Sequence, residues 1–123
     1  MNFLQVALGG GLGAMARYGV NIMAMRAIGP GFPWATLTVN VAGSLLMGLL
    51  VVTLAERGGN HLAPFLLTGV LGGFTTFSAF SLDTLFLWEG GKAVLAIGYV
   101  VASVVLSLAA VLAGLAIGRA IWA

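Results

Sequence analysis

The sequence contains no cysteine, a single histidine and three prolines, and only 7% of its 123 residues are charged. Without cysteine there is no disulfide, no thiolate nucleophile and no thiolate metal site. The lone histidine, His61, falls in a polar segment, so a metal centre lacks ligands. No nucleophile and base stand in a recognisable pairing, and the chain is not expected to be an enzyme. A water-facing surface carries about 25% charged residues, which this chain cannot supply. Its five Lys and Arg are scattered rather than clustered on a basic face, which argues against nucleic-acid binding.

What fills the space is apolar residue, 61% of the chain. Segments 27–55, 58–82 and 93–118 contain no Asp, Glu, Lys or Arg. Each exceeds the roughly 20 residues of helix that cross a bilayer core, so the chain reads as an all-α, multi-pass membrane protein forming one domain, 1–123. Four spans are expected, at about 3–28, 34–55, 62–88 and 93–121. The first ends at Gly29-Pro30-Gly31-Phe32-Pro33, where two prolines and two glycines cannot continue a helix. Polar turns at 56–61 and 89–92 separate the others.

Charge does not orient these spans. Arg57 and Arg119 lie on the side of the termini, Arg26 and Lys92 on the opposite side, and Arg17 within the first span. The positive-inside rule needs an excess of Lys and Arg on one face. A two-against-two balance predicts insertion either way up, which allows an antiparallel dimer related by a two-fold axis in the membrane plane, as in inverted-repeat transporters. Gly9/Gly13, Ser44/Gly48 and Gly114/Gly118 fit the small-xxx-small pattern of close helix contact.

Polar residues inside a membrane cost free energy unless they are paired or face water, so they mark the candidate site. Thr36, Asn40 and Ser44 form an i, i+4 stripe on the second span. It serves either as interhelical glue or as an amide NH₂ offered to an anion. In the third span, Gly69-Val70-Leu71-Gly72-Gly73-Phe74-Thr75-Thr76-Phe77-Ser78-Ala79-Phe80-Ser81 is poor helix material. A break there is expected, whose freed carbonyls suit a cation and freed N–H groups an anion. Its phenylalanines are either core packing or rings whose positive edges face an anion. Tyr99, Ser103 and Ser107 space a ladder of hydroxyls along the fourth span, unless the serines bond their own i−4 carbonyls. Arg17 and Asp83 are the charges within spans, and a pair between them is a structural candidate. No carboxylate lies at a span centre, which disfavours proton-coupled exchange.

These segments together resemble the Fluc/CrcB family of fluoride channels over nearly the whole chain. The resemblance is carried by Gly9-Gly10-Gly11-Leu12-Gly13-Ala14 with Arg17-Tyr18, by the run from Thr36 to Ser44, and by the run from Gly72 to Ser81. It implies a dual-topology antiparallel homodimer in the prokaryotic inner membrane, with two pores built from both chains and passive fluoride efflux. Asn40, Phe77 and Phe80 match the family's pore residues, with Ser78 and Ser81 beside them, and Tyr99, Ser103 and Ser107 match its polar track. Gly72 and Thr75 match the positions whose backbone carbonyls hold a structural Na⁺ at the dimer centre. Two departures stand out: Ala79 where the family usually has threonine, and Asp83 where glutamate is common.

The expected mechanism is exchange of fluoride's water for neutral donors and ring edges, since conduction needs binding that is weak enough to release. A small dual-topology multidrug exporter would instead require a carboxylate in the first span, where Arg17 stands. A non-conducting membrane assembly subunit would carry no ion flux.

Overall fold

The computed structural model describes residues Asn2–Trp122, so the two end residues of the 1–123 domain, 1 and 123, lie outside the described residues. Among these the regular structure is entirely helical. Helix α1 covers Asn2–Ala27 and α2 covers Trp34–Glu56. The third segment begins with a 3₁₀ turn, Asn60–Leu62, continues as a π-helix, Pro64–Leu71, and closes with the short α3, Gly72–Phe74. After a two-residue interruption α4 runs Phe77–Glu89, and α5 spans Ala93–Trp122. The turn between α1 and α2 uses Gly29 and Gly31 at φ +87° and +123°, a left-handed backbone that side-chain-bearing residues rarely adopt.

Three segments are long and apolar enough to cross a membrane: Trp34–Glu56, Asn60–Glu89 and Ala93–Trp122. α1 is long enough, about 39 Å at 1.5 Å per residue, but its glycines, Gln5, Asn21, Arg17 and Arg26 make it the least apolar of the four. Of the four expected spans, three are therefore met among the described residues.

Glycine decides how the helices pair. A Cβ on Gly9 would collide with the carbonyl of Phe65, and one on Gly13 with the carbonyl of Val70. A Cβ on Gly48 would strike the Val111 carbonyl, and one on Gly114 the Leu45 carbonyl. Residue numbers rise together along both contacts, so α1 runs parallel to the third segment and α2 parallel to α5. Backbones at this separation gain dispersion contacts that larger residues would prevent. Few side chains are buried; Tyr99 and Val39 are the largest fully enclosed ones. Val94, Val105 and Leu112 on α5 stand exposed, as a lipid-facing surface requires.

The far ends of α2 and α5 are clasped. Trp122 Nε1 donates to Thr53 Oγ1 at 2.9 Å, Thr53 Oγ1 donates to the Leu49 carbonyl at 2.8 Å, and the Arg57 guanidinium lies 4.9 Å over the Trp122 ring. Trp122→Phe keeps a ring under Arg57 but removes the N–H. The expected loss is about 1 kcal/mol, read as a small drop in the thermal midpoint in detergent.

Candidate functional site

The site forms where the third segment stops being helical. Thr75 (φ −88°, ψ 159°) and Thr76 (φ −154°, ψ 123°) are extended, a conformation that suits β-branched residues. Extension withdraws the Thr76 N–H from the Gly72 carbonyl, its partner in a continuous helix. Asn40, on α2, replaces that partner: its Oδ1 accepts from the Thr76 N–H at 2.8 Å and its Nδ2 donates to the Thr76 carbonyl at 3.0 Å. One side chain thus satisfies both polar groups of one peptide residue. Upstream, Arg17 Nε donates to the Gly73 carbonyl at 3.1 Å. The interruption is held from α1 on one side and from α2 on the other.

The threonine side chains complete the local bonding. Thr75 Oγ1 turns back to the Leu71 carbonyl at 2.9 Å, which also accepts the Thr75 N–H at 3.0 Å. Thr76 Oγ1 accepts from the Ala79 N–H at 3.1 Å and so caps α4. It also lies 3.2 Å from Ser78 Oγ. Thr76 did not stand among the sequence candidates. A threonine directly ahead of an apolar helical run, after paired glycines, was the signal available for it.

Beside the interruption, between α2, α4 and α5, opens a cavity of about 470 Å³. Asn40, Ser44, Thr75, Phe77, Phe80, Ser103 and Ser107 all line it. Ser103 is buried and its hydroxyl has no hydrogen-bond partner, an uncommon state for a buried polar atom. Phe77 is 78% exposed and stands at the open side. Its ring centroid is 5.4 Å from that of Phe80, tilted by 50°. No acidic or basic side chain lines the cavity.

Other candidates sit elsewhere. Tyr99 does not continue the serine ladder into the cavity. Its hydroxyl donates to Asp83 Oδ2 at 3.1 Å, and its ring packs between Phe80 and Phe32, with centroids at 5.2 and 5.4 Å. Asp83 faces a second hollow of about 410 Å³ at the far end of α4, lined also by Phe32 and Lys92. The pairing of Arg17 with Asp83 is not formed, because Arg17 serves the Gly73 carbonyl and Asp83 serves Tyr99. Ser81 donates to its own i−4 carbonyl, that of Phe77, at 3.0 Å, and Ser78 faces Thr76. Neither lines the cavity. Gly72 is exposed at the helix end. Among the described residues no group of His, Cys, Asp and Glu could hold a metal ion.

Residues 4–115 match the family model described as CrcB-like protein, Camphor Resistance (CrcB). The chain belongs to the CrcB-like family. Among its relatives, the fluoride-specific ion channel FluC of Paracoccus denitrificans is 69% identical over 121 residues, covering 98% of this chain and 97% of that protein. FluC of Cereibacter sphaeroides is 62% identical, with 96% and 94% covered. FluC of Agrobacterium fabrum is 53% identical, with 97% of each covered. For this CrcB-like chain, therefore, the interruption and its cavity fall inside the matched region, and the similarity runs along nearly the whole length.

Proposed function

We propose that this chain is a fluoride-selective channel that lets fluoride leave the cell down its gradient. The observation that carries the reading is the neutral, donor-lined cavity beside the interruption, in a chain whose relatives are named fluoride-specific ion channels. A small, strongly hydrated anion needs donors that replace water one at a time without a full positive charge to trap it. Ser103 brings a hydroxyl with no competing partner, Asn40 retains one of its two amide hydrogens after serving Thr76, and Ser107 extends the donor line. Phe77 and Phe80 contribute ring edges with positive partial charge. No carboxylate repels the ion along this wall.

The conducting unit is an antiparallel homodimer with two pores in the prokaryotic plasma membrane, and α1 is its fourth crossing. The balanced Lys and Arg tally and the open, Phe77-flanked side of the cavity support this arrangement, since a second copy would complete the wall. The carbonyls of Gly72 and Thr75 fit a central Na⁺: extension of Thr75 and Thr76 removes their helical partners, and hard cations take oxygen ligands. Bound there, Na⁺ would supply positive potential near the pores and a tie between the two copies. Arg17 holds the Gly73 carbonyl between those two positions, which keeps the helix end in place.

Purified protein reconstituted into liposomes loaded with fluoride should release it on addition of a proton carrier or potassium ionophore, followed with a fluoride electrode. Chloride-loaded vesicles should release their anion far more slowly, and preparation without sodium should weaken the effect. Absence of fluoride release from protein that elutes as a folded species, or equal rates for chloride, overturns the proposal.

A further inference from the structure

The π-helix is not used by the mechanism above, and its bonding is uneven. Pro64–Leu71 is eight residues long, whereas π structure usually occurs as a single inserted turn within an α-helix and is rare overall. At its C-terminal junction the Gly72 N–H is shared between the carbonyls of Gly69 and Leu67, which are i−3 and i−5. The i−4 carbonyl, that of Thr68, is the one passed over. A donor divided between the bonds on either side of the α-helical one marks the junction of two registers. Gly69, Gly72 and Gly73 surround it; Gly69 and Gly73 lie against the α1 backbone at Gly9 and Gly10, whereas a Cβ on Gly72 would make only an ordinary contact with the Leu67 carbonyl. Thr68 itself is exposed.

The same mismatch is visible across the contact with α1. Gly9 and Gly13, four residues apart, meet the carbonyls of Phe65 and Val70, five residues apart. One residue of the third segment is therefore surplus to the turn of α1 against which it lies. Immediately downstream lies α3, which itself carries the Gly73 carbonyl held by Arg17, and after it comes the Thr76 peptide held by Asn40.

We propose that the π-helix is a movable register: its surplus residue can be handed toward the interruption, turning the intervening residues by about 100°, the angle of one residue in an α-helix. The turn takes the Gly73 carbonyl away from Arg17 and unseats the cavity wall at Thr75. The state with both holds made is the conducting one, and the shifted state is closed. This last assignment rests on the fluoride-channel reading; the movement does not.

Deletion of Thr68 removes the surplus and leaves the flanking α1 contacts in phase. Hydrogen exchange, followed by mass spectrometry on protein in lipid nanodiscs, should show the wild-type amides of residues 70–74 exchanging about tenfold or more faster than those of 101–106 in the middle of α5. In the deletion protein that difference should shrink to about twofold, with fluoride efflux from liposomes retained. Equal exchange of the two segments in wild type overturns the proposal, and needs no variant. Unchanged fast exchange after the deletion overturns it as well, as does loss of efflux by a deletion protein that elutes like wild type. If wild type itself moves no fluoride, the channel reading fails while the exchange comparison still decides the register.

Discussion

Asn40→Ala is expected to reduce fluoride efflux by about 100-fold or more, which corresponds to about 3 kcal/mol. The change removes both bonds to the Thr76 peptide, at 2.8 and 3.0 Å. A half-buried N–H and carbonyl are then left without the partner that α2 provided, at about 1–3 kcal/mol each. The extended conformation at Thr75 and Thr76 thereby loses its support from α2. The cavity loses a donor at the same time. Asn40→Asp separates the two roles. It keeps an acceptor for the Thr76 N–H, but sets a carboxylate against the Thr76 carbonyl and places negative charge in the anion's path. Efflux should fall at least as far as for alanine, although the protein retains its elution volume. An Asn40→Ala protein that conducts like wild type would mean that the amide is interhelical glue alone.

Gly114→Val is expected to have the largest effect on stability. Gly48 and Gly114 face one another across α2 and α5, and a Cβ at either position would occupy space already held by the partner's backbone carbonyl. Neither carbonyl can move without disturbing its own helix, so relief requires separating the helices. Overpacking of this kind costs about 3 kcal/mol or more when the obstacle is backbone. α2 and α5 also form two walls of the cavity, hence efflux and folded yield should fall together. The measurement is recovery by size exclusion and thermal denaturation in detergent. Gly11 is the contrasting position, with nothing within 4 Å of a built Cβ. Gly11→Ala should be neutral or stabilising by up to about 1 kcal/mol through helix propensity. Similar behaviour of the two variants would show that glycine acts through backbone flexibility rather than through contact.

Several of these features were legible in the amino-acid string because one residue type determines them locally. The turn at Gly29–Pro33 ends α1 by sterics alone, and the apolar runs of α2 and α5 admit little but membrane-length helices. Glycine pairs followed by threonines marked the interruption, and the serines at 103 and 107 reached the cavity as their spacing suggested. Other features depend on partners far along the chain, which spacing does not encode. Asn40 could have offered its whole amide to an ion, but Thr76, 36 residues away, takes one acceptor and one donor from it. Tyr99 shares a stripe with Ser103, yet the nearby Asp83 carboxylate draws its hydroxyl toward the other end of α4. The π-helix has no sequence signature, because it records a misfit between two backbones rather than the preference of either.

The interleaved pairing of the helices bears on how the protein is made. The glycine-lined contacts join α1 to the third segment and α2 to α5, skipping the immediate neighbour in each case. A helix emerging during synthesis therefore finds its closest companion only after the next one has also been threaded into the bilayer. The glycine-lined contacts are not local hairpins, although the last two helices, α4 and α5, do meet through Asp83 and Tyr99. Two early helices must wait, each shielded only by lipid, until later segments arrive, and the Asn40 hold on Thr76 can close only when both halves of the third segment have been released. Assembly is then late and concerted, and a chain shortened before α5 leaves α2 without the helix its glycines are shaped to meet.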